Sequence, residues 1–325
     1  MPGELNDNSK PNSHSFEWQE SVNCLEFSEY ETSQNLLAIG GETRVSILSI
    51  TLHDDNKDSW LEVETIREFH HGYKVLSICW SNATSLNVLP KCLRFCTVGA
   101  DKKLRCFNSD LKSDDSVRVI EGHTDYINDV TFDPDKGDQI ATVSDDLSCR
   151  IFDSTDGSQK VLFPLGSPGM SVCWHQEDPL KLMVAEKNGV IRFYNLVAQQ
   201  PMMSLDCGQQ PLLAADWCLR NSLKVAAVSA TDLHVFDISV SCRPTDTKSV
   251  HSECATKVRW SRLHSHLLAT LGRPGSTVKV LNLKLNQIPV VANDLLFRGL
   301  TWHFSQPMVA VGADKRVCLW TVESY

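Results

Sequence analysis

Strand-like runs that recur about every 40–45 residues predict an all-β fold, a seven-bladed β-propeller. Each run alternates polar and apolar residues and closes on an apolar or aromatic residue. The closing residues are Leu48, Phe107, Phe152, Tyr194, Phe236, Leu281 and Trp320, at spacings of 39 to 59 residues. Blades of this length repeat around a central axis and leave only short sheet edges exposed.

The first two strands of each blade are predicted from two kinds of apolar run. One run ends in an aromatic residue, whose ring fills the wedge between neighbouring blades. These first strands are residues 22–27, 75–80, 127–132, 171–174, 214–217, 257–260 and 300–302. The next run is rich in small and β-branched residues, which suit a sheet that narrows towards the axis. These second strands are residues 37–40, 95–98, 140–143, 183–185, 225–228, 268–271 and 309–312.

The fourth, outermost strands are weaker, and only six are predicted, at residues 61–66, 117–120, 160–163, 202–205, 248–251 and 288–291. The sequence ends at Tyr325, soon after the third strand of the last blade. We therefore expect residues 14–20 to supply the missing strand and close the ring, which pairs two edges that would otherwise be exposed. Residues 1–13 are polar and predict a disordered tail, so residues 14–325 form a single propeller.

Three connections are predicted to be long loops: residues 49–60, 82–92 and 108–116. Long loops on a rigid frame are common sites of partner contact. They are equally compatible with insertions that the fold tolerates without a role.

Composition argues against several classes of function. The net charge is −9 and the pI is about 5.6, which disfavours nucleic-acid binding and attachment to an anionic membrane. The sequence contains no run of 18 apolar residues, so no membrane span is predicted. The 12 cysteines show no Cys-x-x-Cys pair and are typical of small core residues in a reducing compartment. We expect no cofactor and no metal, and we interpret His70 and His71 as a loop or a Gly-His variant of the blade motif rather than a metal pair.

The third blade shows the WD-repeat pattern most fully. Gly122-His123 opens it, Asp146 and Ser148 precede its third strand, and Phe152 ends that strand. In WD repeats a His–Asp–Ser/Thr–Trp hydrogen-bond network braces the blade, and Phe152 stands where the Trp would donate its indole N–H. A Ser–His–Asp catalytic triad is the alternative, which we disfavour because the family buries this set.

Arg150 and Arg192 occupy one position in successive blades. We expect structural pairing with acids across blades; the alternative is an exposed ring that binds an acidic partner.

More specific runs resemble the small WD-repeat nucleoporin of the Y-shaped scaffold complex of the nuclear pore. They are Phe69-His-His-Gly72, Glu121-Gly-His-Thr-Asp-Tyr-Ile-Asn128, Val143-Ser-Asp-Asp146, Ser167-Pro-Gly-Met-Ser-Val-Cys-Trp-His175, Lys181-Leu-Met-Val-Ala-Glu-Lys-Asn-Gly189, Ile191-Arg-Phe-Tyr194 and Ala198-Gln-Gln200. The resemblance covers essentially the whole chain and is densest over residues 120–200.

This resemblance implies a non-catalytic structural subunit, monomeric within a hetero-oligomer. Its partners would be Y-complex nucleoporins, chiefly a large helical stem subunit, with no direct nucleic-acid contact and no direct membrane insertion. The implied location is the nuclear envelope at the pore, with a role at the kinetochore in mitosis in animals. Exposed apolar residues at blade rims usually dominate such docking. The candidates here are Trp60, Tyr73, Tyr126, Leu165 and Met170.

Three other functions are alternatives. A cullin ubiquitin-ligase receptor often carries Trp-Asp-x-Arg after the third strand, whereas these ends begin Phe152-Asp-Ser-Thr155, Phe236-Asp-Ile-Ser239 and Trp320-Thr-Val-Glu323. A propeller enzyme would need acids or histidines gathered at one channel mouth, and no such repeat stands out. A histone-tail reader stays open, because an aromatic cage drawn from separate blades leaves no linear motif.

Overall fold

The computed structural model describes residues 13–55, 58–112, 115–273, 276–294 and 296–322. Within these ranges the regular elements are 28 β-strands and one short 3₁₀ helix, Glu31–Ser33. The strands form seven antiparallel sheets of four, so the seven-bladed propeller is confirmed. No helix among the described residues has the length and apolarity needed to cross a membrane.

The blades follow one another in chain order. Blade 1 is β2 (Cys24–Phe27), β3 (Leu36–Gly40), β4 (Arg44–Asp55), β5 (Asp58–His70); blade 2 is β6 (Val75–Trp80), β7 (Leu93–Gly99), β8 (Leu104–Ser109), β9 (Ser116–Ile120); blade 3 is β10 (Ile127–Phe132), β11 (Gln139–Ser144), β12 (Ser148–Asp153), β13 (Gln159–Pro164). Blade 4 is β14 (Gly169–Trp174), β15 (Lys181–Glu186), β16 (Val190–Asn195), β17 (Gln200–Asp206); blade 5 is β18 (Leu212–Trp217), β19 (Lys224–Ser229), β20 (Asp232–Asp237), β21 (Asp246–Ser249). Blade 6 is β22 (Cys254–Trp260), β23 (Leu267–Arg273), β24 (Thr277–Asn282), β25 (Gln287–Asn293); blade 7 is β26 (Phe297–Trp302), β27 (Met308–Ala313), β28 (Arg316–Thr321), β1 (His14–Glu17).

Two faces of the disc are named from the first strands. The front face is where these strands begin, as at Val75 and Ile127, and the back face is where they end, as at Trp80 and Phe132. Because the strands of a blade alternate in direction, turns between second and third strands lie on the front. Turns between third and fourth strands lie on the back.

The ring closes as expected. β1 pairs antiparallel with β28, with His14 opposite Leu319 and Glu17 opposite Arg316. The N-terminal strand thus becomes the outermost strand of blade 7. The predicted tail, residues 1–13, lies outside the described residues except for Ser13, whose backbone N–H donates to the carbonyl of Leu319.

The prediction of a loop over residues 49–60 is wrong. β4 runs to Asp55 and β5 starts at Asp58, so the two form a hairpin whose end extends past the second strand of the blade, which stops pairing at Ser49. Cross-strand apolar pairs explain the extension: Ile50 lies opposite Val63, and Leu52 opposite Leu61. The acidic residues around the turn are typical of a loop, so the apolar residues that pair across the hairpin were not recognised from the sequence.

The fourth strand of blade 5 is also shifted. It spans Asp246–Ser249 rather than residues 248–251. His251 instead turns towards blade 6, where its Nε2 lies 3.0 Å from the hydroxyl of Thr270.

The core consists of wedges between neighbouring blades rather than one central cluster. Trp302 and Trp320 of blade 7 pack with Leu267 and Val280 of blade 6, and both indoles are almost fully buried. Phe132 and Phe152 of blade 3 likewise pack against blade 2. Each blade is thus stabilised mainly by its neighbours, so the closed ring forms one rigid unit.

Candidate functional site

The predicted brace of blade 3 is assembled from two connections and one strand. His123 Nδ1 lies 2.9 Å from Asp146 Oδ2, and the Ser148 hydroxyl donates to Asp146 Oδ1 at 2.5 Å. The Ser148 oxygen is farther from His123 Nδ1, at 3.3 Å. The carboxylate, rather than the imidazole, therefore lies at the centre of the set.

A further hydrogen-bonding member of the brace, Thr142, was missed from the sequence. Its hydroxyl lies 2.7 Å from His123 Nε2. Burial lowers the pKa of His123 even though Asp146 opposes this, so the ring is neutral near pH 7. For Asp146, hydrogen bonds from Ser148 and His123 outweigh burial and lower the pKa. The neutral ring therefore donates from Nδ1 to the carboxylate and accepts at Nε2 from Thr142.

Phe152 closes the brace by packing. Its ring meets that of His123 edge-on, with centroids 6.3 Å apart, and it is buried beneath Gly122. In a catalytic triad the imidazole stands between serine and carboxylate. Here it does not, and Ser148 is buried within the blade. The geometry fits the structural interpretation of the motif.

Two other blades use the same histidine–threonine contact. His71 Nε2 lies 3.0 Å from the Thr97 hydroxyl, and its Nδ1 donates to the carbonyl of Tyr73. His251 makes the equivalent contact with Thr270. His71 is thus the blade motif inferred from the sequence, and no group of three metal-binding side chains occurs among the described residues. In blades 2, 3 and 6 a histidine precedes the first strand and a threonine lies within the second strand, and this pairing was the available sequence signal.

The arginines at the shared third-strand position pair within their own blade, not across blades as expected. Arg150 contacts Asp146 at 3.5 Å, and Arg192 forms an ion pair with Glu186. Each acid lies at the turn between second and third strands of the same blade. Each arginine is close in sequence to its acid, so both side chains lie in one blade on the front face of the disc.

A ring of hydrogen bonds joins all seven first strands around the channel. The pairs are Trp80 Nε1 to Glu26 O (2.9 Å), Ser77 Oγ to Asp129 Oδ1 (3.1 Å), Val172 N to Asp129 Oδ2 (3.1 Å), Ala215 N to Ser171 Oγ (3.1 Å), Trp260 N to Asp216 Oδ2 (2.7 Å), Trp302 Nε1 to Arg259 O (3.0 Å) and Phe27 N to Thr301 Oγ1 (3.1 Å). Every blade junction contains at least one of these bonds. Buried backbone groups that face the channel are thereby satisfied.

Acids do gather at the back mouth of the channel, contrary to the sequence expectation. Glu26, Asp129 and Asp216 lie there with Arg259 and Arg262, around a cavity of about 90 Å³. Burial raises the pKa of Glu26 to about 7, although Arg259 opposes the shift. Asp129 and Asp216 accept the ring bonds described above. The space suits a few water molecules rather than a cofactor.

Two of the predicted partner contacts lie side by side on the front face. Tyr73 is 52% exposed and Tyr126 is 46% exposed, in the connections that lead into blades 2 and 3. The turn of blade 2 lies between them: the Arg105 guanidinium is 5.3 Å from the Tyr73 ring centre, and Lys102 Nζ is 5.3 Å from that of Tyr126. Cations over both rings hold them in place without covering them.

Trp60 lies elsewhere, on the back-face extension of the β4–β5 hairpin. It is 49% exposed and stacks on His53, with ring centroids 4.0 Å apart. Leu165 is only 7% exposed and packs between blades 3 and 4, so it offers little surface to a partner. Met170 is half-buried against the core of blades 4 and 5. The structure therefore brings together Tyr73 and Tyr126, and not the other three.

Comparison with known proteins found similarity to WD-repeat proteins and to nucleoporins. The model named "WD domain, G-beta repeat" matches residues 114–153, the segment that contains the brace. Nucleoporin Nup37 of Mus musculus is 43% identical over 94% of this chain and 95% of its own length. Nucleoporin Nup37 of Homo sapiens is 42% identical over 98% and 99%, and that of Drosophila melanogaster 31% over 95% and 97%.

The chain belongs to the Nup37 family of nucleoporins. The similarity extends across all seven blades and the closing strand, because the human alignment spans nearly the full length of both proteins. The WD-repeat match spans the fourth strand of blade 2 and the first three strands of blade 3, where His123, Asp146 and Ser148 form the motif. The resemblance inferred from short runs is therefore confirmed at the level of the family.

Proposed function

We propose that the chain is a non-catalytic structural subunit of the Y-shaped scaffold subcomplex of the nuclear pore. It docks a rigid propeller onto a large helical nucleoporin and so supports pore assembly and nucleocytoplasmic transport. Near-full-length similarity to proteins named nucleoporin Nup37 carries this proposal. We also propose that the chain lies at the nuclear envelope, and at kinetochores during mitosis in animals.

The site chemistry supports a structural role. Ser148, His123 and Asp146 are buried and hydrogen-bonded to one another within the blade, and the channel carboxylates Asp129 and Asp216 accept bonds that join first strands. These groups therefore serve the fold, and the outer surface is what remains for binding.

The exposed pair Tyr73 and Tyr126 is our proposed anchor for the helical partner. Both rings are amphipathic, fixed by nearby cations and carried on a closed ring that loses little entropy on docking. A helix lying across the connections of blades 2 and 3 would cover both rings.

Purification of the chain, tagged at its native locus, tests the function. We expect stem nucleoporins of the Y-complex to co-purify in near-equal amounts by quantitative mass spectrometry. Recovery of a cullin adaptor or of chromatin proteins, without nucleoporins, would overturn the proposal.

A further inference from the structure

A cationic pocket opens on the front face where blades 6 and 7 meet the start of blade 1. Its cavity is about 440 Å³. Three basic side chains line it, Lys257 of β22, Arg273 at the end of β23 and Arg298 of β26. In a chain of net charge −9, three cations around one cavity are a local reversal of sign.

Several other cations on the same face have an acidic partner. Lys102, for example, lies 3.0 Å from Asp125, and Lys103 lies 2.5 Å from Glu121. Within the described ranges, Lys257, Arg273 and Arg298 have no carboxylate within ion-pair distance. Arg298 instead donates from Nη1 to the side-chain oxygen of Asn23 at 2.7 Å.

The channel separates charge along its length. Lys257 and Arg259 both belong to β22. Arg259 lies at the back mouth of the channel among Glu26, Asp129 and Asp216. Lys257 lines the front pocket, two residues earlier. Burial lowers the pKa of Lys257, and Arg259 acts in the same direction, although Asp129 and Glu26 oppose the shift. An anion entering from the front would relieve this unfavourable burial of positive charge.

The rest of the lining combines the polar residues Asn23, Thr256 and Ser276 with an apolar part that indicates the shape of the ligand. Leu271, Phe297 and Leu296 form a wall, and Leu296 is 46% exposed. A carboxylate carried on methylene groups matches this combination of apolar wall and cations. A bare inorganic anion would leave the wall unused.

We propose that this pocket binds a glutamate-rich segment of a protein partner, whose carboxylates pair with Lys257, Arg273 and Arg298. The assignment is independent of the nucleoporin assembly that the chain enters. It concerns a site between blades 6 and 7, separate from the connections into blades 2 and 3 that contain Tyr73 and Tyr126.

Fluorescence polarisation with a labelled, amidated hexaglutamate peptide at low salt tests the assignment. We expect Arg273→Gln/Arg298→Gln to weaken binding about tenfold or more, because paired desolvated charges are lost. The matched control, Lys103→Gln/Lys187→Gln, removes two front-face cations from blades 2 and 4 and should change affinity by less than about twofold, because exposed charges at that distance are screened. Lys257→Met, with its melting temperature recorded, should weaken binding without touching the outer surface.

Equal losses in the two double variants would mean non-specific attraction to the face and would overturn the site. Absence of binding by the wild-type chain would do the same. A phosphoserine peptide of equal length that binds while hexaglutamate does not would overturn the choice of carboxylate as ligand.

Discussion

The indole Nε1 of Trp18 donates a hydrogen bond to the hydroxyl of Ser46 at 3.1 Å, which joins the closing segment to the third strand of blade 1. The backbone N–H of Trp18 donates in turn to the carbonyl of Lys315 in blade 7. The ring lies directly over Gly41, where a Cβ atom would approach within 2.6 Å. Trp18 thus links blade 7 to blade 1 through contacts that add to the pairing of β1 with β28.

The closure predicts a specific loss of stability. Trp18→Ala should lower the free energy of unfolding by about 3–5 kcal/mol, because a buried aromatic side chain and its hydrogen bond are lost. Deletion of residues 1–20 should cost more, since β1 is removed as well. Chemical denaturation measures both. Deletion of residues 1–12, which keeps β1 and Trp18, is the control. If the chain that lacks residues 1–20 unfolded like the full chain, the closure would be refuted.

The brace of blade 3 predicts a smaller effect. Asp146→Ala should destabilise the fold by about 1–3 kcal/mol, because His123 and Ser148 lose their buried acceptor. Asp156→Asn, at an exposed turn of the same blade, serves as the control and should be neutral. Identical denaturation midpoints for the two variants would show that the network adds nothing to stability.

The ring of hydrogen bonds around the channel predicts that a single carboxylate can stabilise the junctions of its blade with both neighbouring blades. Asp129 accepts from Ser77 of blade 2 and from the backbone of Val172 in blade 4. Asp129→Ala leaves both donors buried without an acceptor and should cost about 2–4 kcal/mol. Thermal unfolding should show the loss, whereas Asp138→Asn, exposed on the same blade, should leave the melting temperature unchanged.

Buried histidines predict a loss of stability in acid. Burial lowers the pKa of His71, His251 and His303 to about 4, from an ordinary 6.5. Between these pH values the unfolded chain binds more protons than the folded chain. The contribution of these histidines to the free energy of unfolding is therefore fully present above pH 6.5 and is lost as the pH falls towards 4. Each histidine contributes at most about 1.4 kcal/mol per pH unit. Glu26, whose pKa is raised to about 7, acts in the opposite direction between 4.5 and 7 and offsets only part of this.

Denaturation midpoints from pH 7 to pH 4.5 measure this slope. His71→Gln/His251→Gln should flatten it while lowering stability at pH 7. A slope unchanged in that variant would assign the acid sensitivity to other groups.

The sequence predicted the ring because the determinants are local. Aromatic ends such as Trp80 and Trp260 recur once per blade, and the polar–apolar alternation of the third strands survives in every repeat. The hairpin extension was missed because Asp54 and Asp55 resemble a loop, although Leu52 and Leu61 are paired across it. Local composition there was a poorer guide than cross-strand pairing.

The binding surfaces were less predictable, for a geometric reason. Lys257, Arg273 and Arg298 form one pocket but come from three strands of two blades. Asp129 and Asp216 likewise share a channel mouth without any fixed spacing in sequence. Exposure of Tyr73 and burial of Leu165 depend on neighbouring blades, so residue type alone could not separate them.

The most direct test of the central claim compares partner capture by matched surface variants. Tyr73→Ala/Tyr126→Ala and Trp60→Ala each remove exposed aromatic surface, from the front and the back respectively, and both should melt like the wild type. Quantitative mass spectrometry of the natively tagged chains should show the stem nucleoporin reduced about tenfold or more in the front-face variant, because docking anchors dominate affinity, and retained in Trp60→Ala. Full recovery of the stem nucleoporin by the front-face variant, or loss only in Trp60→Ala, would contradict the proposed docking surface.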